Sequence, residues 1–268
     1  MESIGAEVLA TLDLPGGSIP YLIRRSPRSR RMRVTIHPDR GVVVSLPPAT
    51  RRGWGRSDGL VDTFLREREG WLRRHLQRLH QARAVLAARG GLADGAVIRY
   101  RGELHRLRVA SAQSPMRRST VIRAGDGEGD QLLVALSVAD RRPVADVLRG
   151  WFRDRASVAI EREIACHAPA LRVTPAAIGL RDPRTRWGSA SRNGRLSFSW
   201  RLVLAPPEAL ETVVVHELAH LRYFGHGSRF WGLVASRRPD HLEWRRWLRE
   251  HSFELHMALR DGTYTAQP

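Results

Sequence analysis

The segment Val213-Val214-Val215-His216-Glu217-Leu218-Ala219-His220-Leu221 constrains this chain more than any other. It reads as a helix apolar enough to lie in a core, yet it carries three titratable side chains. Residues four apart on an α-helix are turned by only about 40° from one another, so His216 and His220 can aim two imidazoles at one point. Glu217 borders the same face and can reach a water held there. Two neutral nitrogen donors, a carboxylate and open coordination positions are what a catalytic metal site requires. Two solvent histidines on an ordinary helix would not need such apolar neighbours. Imidazole donors and hydrolytic chemistry make Zn2+ the default ion, with cobalt, manganese and nickel chemically possible.

Two histidines do not complete a site. His226 follows Gly225, where the helix can end and the chain turn back. His241 and Glu243, at the start of a later helix, are its rivals, and spacing favours His226. Glu217 would take a proton from the attacking water and pass it to the leaving group. Charge developing on the substrate oxygen needs a second stabiliser besides the metal. Tyr223, Arg222, Arg229 and Arg186 are the nearby candidates, and the sequence does not choose among them.

The rest of the chain divides by pattern. Ile19–Arg25, Met32–His37 and Val42–Leu46 are β-prone runs, with Pro38-Asp39-Arg40-Gly41 as a turn. One long helix is expected over Leu60 to about Ala88, ended by Gly90-Gly91. Val97–Tyr100, Leu104–Val109, Thr120–Ile122 and Leu132–Leu136 form a second β section, with Ala124–Asp130 as an exposed loop. A helix follows from Pro143 and closes at Pro169. Strand and turn signals occupy Ile178–Trp200, and Arg192-Asn193-Gly194 turns the chain into Arg195–Leu204. Pro206-Pro207 introduces the helix bearing His216, and a final helical region covers about Leu242–Leu259. No internal repeat is visible. The expected organisation is an N-terminal β-rich section with one long helix (1–140), a catalytic core (141–262) and a tail (263–268).

Composition narrows the setting. The 268 residues, 42% of them hydrophobic, are enough for a sizeable core. The start of the chain lacks a signal-peptide pattern, and no run approaches a membrane span, so a cytoplasmic location without membrane contact is expected. The single cysteine, Cys166, rules out an intramolecular disulfide and an all-cysteine metal site. All 45 basic residues are arginine, and the formal charge is +18. Genome bias explains the missing lysines; a polyanion partner, nucleic acid or a phosphorylated substrate, would explain the excess of base over acid. The cluster Arg24, Arg25, Arg28, Arg30, Arg31 and Arg33 is either a solvated hairpin loop or a phosphate-contacting patch.

Arg184-Thr185-Arg186-Trp187-Gly188-Ser189-Ala190-Ser191, Arg201-Leu202-Val203-Leu204-Ala205-Pro206, Val214 to His220 and His226-Gly227-Ser228-Arg229-Phe230-Trp231 together resemble the YgjP-like family of metal-dependent hydrolases. That family is related to SprT-like and minimal gluzincin-like metallopeptidases. Tyr21 to Ser26 and Arg30 to Arg33 resemble its N-terminal section. The resemblance implies that His226 is the third ligand. It also implies an α+β, zincin-like core of helices on a small antiparallel sheet, whose edge can pair with an extended peptide. Arg195–Val203 or Trp187-Gly188-Ser189 would supply that edge. One departure is Ala190, where the family carries a cysteine; any chemistry of that thiol is absent here.

The expected function is therefore a zinc-dependent hydrolase, foremost a metallopeptidase acting on protein or peptide. The same activated water could attack a phosphoanhydride, so a nucleoside triphosphate pyrophosphatase is the alternative enzyme. A DNA-associated, SprT-like protease held to nucleic acid by its basic surface is the third reading.

Overall fold

The computed structural model describes residues 7–15, 17–55, 58–111, 117–125 and 130–260. Most of the expected loop at Ala124–Asp130, and the tail at 263–268, lie outside them. The chain forms two compact units, Met1–Ala82 and Arg83–Pro268.

In the first unit β1 (Glu7–Leu14), β2 (Gly17–Arg25), β3 (Arg33–His37) and β4 (Gly41–Leu46) make one sheet in the order β1-β2-β4-β3. The β2–β4 pair is parallel and the other two pairs are antiparallel. Two helices follow, α1 (Asp58–Arg66) and α2 (Glu69–Arg89), the latter running past Ala82 into the second unit. β1 was not expected; the alternation at its C-terminal end, with Leu12 and Leu14 buried and Thr11 and Asp13 exposed, marks a strand covered on one side. The one expected helix is two, because the chain breaks at Glu67-Arg68. Within the arginine cluster, Arg24 donates to Ser45 Oγ (2.9 Å), and Arg25 donates to the carbonyls of Pro47 (3.1 Å) and Trp54 (2.9 Å). Those two arginines tie strands and loop together.

The second unit opens with β5 (Val97–Tyr100), β6 (Glu103–Ser111), β7 (Thr120–Ala124) and β8 (Gln131–Leu136), in the order β5-β6-β8-β7. Its pairing senses repeat those of the first sheet. Two hairpins joined through a parallel central pair thus occur twice, although no repeat is legible in the residues.

α3 (Val144–Leu171) then buries Leu148, Phe152, Ala156, Ile160 and Ile164 along one stripe. Pro169 removes a donor in its last turn without ending it. Arg172, in the left-handed region at φ 52°, closes the helix through its N–H to Ala168 and Pro169 carbonyls. β9 (Ala177–Arg181), β10 (Gly188–Ala190) and β11 (Arg195–Ser199) form a third sheet, ordered β10-β11-β9, so that β10 is an edge. A 3₁₀ turn over Trp200–Leu204 leads to α4 (Pro207–Ala219), which begins with a proline at its first position, where the missing N–H costs nothing. α5 (Ser228–Arg237), α6 (His241–Glu250) and α7 (Ser252–Met257) complete the chain. α5 was not expected, and the final helical region is two helices rather than one.

Leu107, Leu132 and Val134 of the second sheet share one apolar core with Phe152, Phe198, Trp200, Val214 and Leu218. Residues 92–136, read from the sequence with the N-terminal section, therefore pack as part of the unit that holds α4. Among the described residues no helix is long and apolar enough to cross a membrane.

Phe152 is fully buried, with its ring 6.3 Å from Trp200 and 6.0 Å from Tyr100. Phe152→Ala should cost about 3–5 kcal/mol, read as a lower denaturant midpoint with unchanged slope. A loss below about 1 kcal/mol would contradict this packing.

Candidate active site

α4 positions the site because its remaining surface has nowhere else to go. Val213, Val214, Val215, Leu218 and Ala219 are all buried. That fixes the helix rotation and leaves His216 and His220 pointing together toward the loop that carries His226.

The ligand-capable nitrogens of His216, His220 and His226 lie within 4.8 Å of one another. His226 Nε2 is 3.2 Å from His216 Nε2. Two lone-pair nitrogens at that separation share either a proton or a cation. A tetrahedral zinc with Zn–N bonds of roughly 2.0–2.1 Å sets its nitrogens about 3.3 Å apart, so the donor set fits that ion. His220 Nδ1 is 3.1 Å from the Tyr223 carbonyl. A carbonyl only accepts, so Nδ1 carries the proton and Nε2 keeps its lone pair free. Burial, with the nearby His220 and His226, pushes His216 down to about 3. Burial also lowers His220. Both rings are therefore neutral, as metal ligands must be.

Phe230, 1% exposed, packs against all three imidazoles at centroid distances of 4.5–4.9 Å. Trp231 stacks with His226 at 5.5 Å and with His241 at 5.4 Å, and the Arg245 guanidinium lies 4.3 Å from its ring centre. His241 is buried but not among the three converging rings, and Glu243 is exposed in the first turn of α6. Neither rival joins the group.

Glu217 is 6% exposed, and burial raises its carboxyl to about 7 against the opposing pull of Arg186. Its side chain lies against β10 where only glycine fits. A Cβ on Gly188 would come within 2.6 Å of Glu217 Cγ and Oε1. The Trp-Gly-Ser stretch carried this signal in advance, since a glycine inside a strand marks close approach by another group. Ala190 sits two residues along β10, so the pleat places it on the same face as Gly188.

The remaining candidates separate. Arg186 is the one whose charge acts on Glu217. Arg222 donates to the Leu171 carbonyl at 3.3 Å. Tyr223 contributes its backbone oxygen to His220. Arg229 is exposed and bonds to none of the four central residues.

Two other groups of potential ligands are taken up by arginine. Glu163, His167 and Glu211 come together between α3 and α4. His167 donates to Glu211 at 2.8 Å, Arg237 donates to its other nitrogen at 3.2 Å, and Arg238 pairs with Glu211. Glu103, His105 and Asp130 converge in the second sheet, where Arg123 pairs with Asp130 and donates to His105.

The YgjP-like family, described as a YgjP-like metallopeptidase domain, matches residues 30–251. The chain belongs to the YgjP-like family. Membership makes it a member of a metallopeptidase, hence hydrolase, family and implies a metal cofactor. The crystal structure of the metallopeptidase zymogen of Pyrococcus abyssi abylysin is similar at 20% identity and a TM-score of 0.32, covering 34% of this chain and 93% of that one. A likeness that slight carries no weight for the fold. Curated proteins yield no match.

Gly188→Ala should turn the Glu217 carboxylate out of its place while the three imidazoles stay put. A crystal structure of the variant with Glu217 unmoved would contradict the contact.

Proposed function

We propose that this chain is a zinc-dependent metallopeptidase in which His216, His220 and His226 hold the ion and Glu217 is the general base. The observation that carries this reading is the convergence of three imidazoles beside a buried carboxylate, in a chain of a metallopeptidase family. Zinc at that position would supply Lewis acidity to the scissile carbonyl and acidify the attacking water.

The protein's own groups do the rest. The Nδ1–H of His220, fixed by the Tyr223 carbonyl, orients that ring. Glu217, with little water around it, accepts the proton of the attacking water at a carboxylate oxygen and returns it to the leaving amine. Gly188 lets β10 approach that carboxylate closely enough for a substrate backbone on the β10 edge to reach it. An extended peptide paired there would place a peptide bond beside Glu217. A polypeptide supplies the repeating backbone donors and acceptors which such an edge can bind; a nucleotide does not.

Purified protein should carry near one zinc per chain by elemental analysis. It should cleave an unfolded protein, lose that activity to a chelator and regain it with zinc. Glu217→Gln should keep the zinc and lose about 10²–10⁴ in kcat/KM. His220→Ala should lose both zinc and activity. Full activity in Glu217→Gln, or hydrolysis confined to nucleoside triphosphates, would contradict the reading.

A further inference from the structure

Next to Glu217 lies a pocket of about 350 Å³ between the loop after β9 and the outer face of the third sheet. Arg181, Asp182, Pro183, Arg186, Ser189 and Ser197 are among its lining residues. Its orientation follows from the pleat. Gly188 pairs with Phe198, and Ser189 pairs with Ser197. Gly188 faces Glu217, so Ser189 and Ser197 face the opposite side of the sheet. Gly179 pairs with Ser197, which puts Arg181, two residues on, on that same side.

The charges in the pocket are unbalanced. Asp182 is its one carboxylate, and Arg201 engages both oxygens at 2.7 and 3.1 Å. Burial by itself would raise the Asp182 carboxyl, but the Arg201 bonds outweigh it and hold the group below its ordinary value. Arg201 is in turn anchored by the Leu255 carbonyl at 3.0 Å. Arg181 and Arg186 form no ion pair with any described residue. His256 supports the loop from behind, with Nε2 3.1 Å from the Pro183 carbonyl and its ring 4.8 Å from that of Trp187. The pocket is thus a supported cavity with two hydroxyls and two guanidiniums that its one carboxylate, already held by Arg201, does not balance, the Arg186 charge also acting on Glu217.

We infer that this pocket selects an acidic side chain, aspartate or glutamate, next to the peptide bond presented to Glu217. The inference rests on the peptidase reading of the site. A peptide paired along β10 alternates its side chains between the two faces of the sheet. The residue opposite Gly188 is turned toward Glu217, and its neighbour, opposite Ser189, is turned toward the pocket that Arg181 and Arg186 line. A carboxylate there gains charge-assisted hydrogen bonds that a neutral side chain lacks. Both arginines are exposed, so the gain is screened and falls with salt.

The test begins with cleavage sites in a mixed peptide library, mapped by mass spectrometry. Asp and Glu should be enriched at a single position beside the scissile bond. On matched peptides with Glu or Gln there, the ratio of kcat/KM should be about ten at low salt and fall toward one with rising salt. In the doubly substituted Arg181→Gln, Arg186→Gln protein the ratio should be near one, and Arg181→Lys should restore part of it. Cleavage with no acidic enrichment, or a ratio unaltered by the double substitution, would overturn this inference and leave the peptidase reading intact. If no peptide is cut, the peptidase reading fails by itself. Binding of the Glu and Gln peptides to zinc-loaded Glu217→Gln then decides the pocket: tighter Glu binding upholds it, equal affinity overturns it. Nucleoside triphosphate hydrolysis abolished by the double substitution, with no peptide bound, would overturn it in favour of phosphate.

Discussion

An apolar helix that must be covered on nearly every side can carry polar groups only where some other element leaves a gap, and α4 is built around that constraint. α3, the 3₁₀ turn, α5, α6 and the third sheet all pack against it. Valine and leucine fill those contacts, and the helix is left with one direction in which His216 and His220 can face. The gap for Glu217 is supplied by Gly188. A buried carboxylate without a partner costs several kcal/mol, and proteins meet that cost by raising the group's affinity for protons. For Glu217 that same property would suit the general-base role proposed for it.

The surroundings of the three imidazoles follow the same economy. Phe230 supplies an apolar wall common to all of them, and Trp231 extends it to His241. Neither residue offers a competing lone pair. His216 and His220, partly buried and neutral, and His226, held against the same aromatic wall, are placed for a cation without rearrangement. Elsewhere, groups with similar ligand potential are closed by arginine. The His167–Glu211 network joins α3 to α4, at a point five residues before His216, and to the end of α5. Part of the arginine surplus is therefore structural, as at Arg123, Arg201 and Arg238, and it is where carboxylates run short, around Arg181 and Arg186, that positive charge is left over.

Much of this was legible in the residues. The apolar run with histidines four apart gave the helix and its two convergent rings, since both follow from local periodicity. The gathering of His226 with them was signalled by Gly225. What local pattern could not give were the relations across the chain. α5 begins directly after the His226 turn, in a segment whose glycines and arginines mask its helical period, and Phe230 works from there. β1 carries a weak alternation that only its pairing with β2 makes a strand. The division of the chain also depended on packing, because strands alone do not show whose core they complete. Ala190 shows the reverse case: a residue whose identity was plain, and whose place on the Glu217 face of β10 needed the sheet.

The central claim is that three imidazoles converge to hold one ion beside Glu217. Anomalous diffraction from a crystal of the zinc-loaded protein, recorded on either side of the zinc absorption edge, tests it most directly. One peak bonded to nitrogens of His216, His220 and His226, with the Glu217 carboxylate near but not bonded, is the expected result. A peak elsewhere, such as at His167 and Glu211, or an ion held by His241 or Glu243 in place of His226, would contradict it.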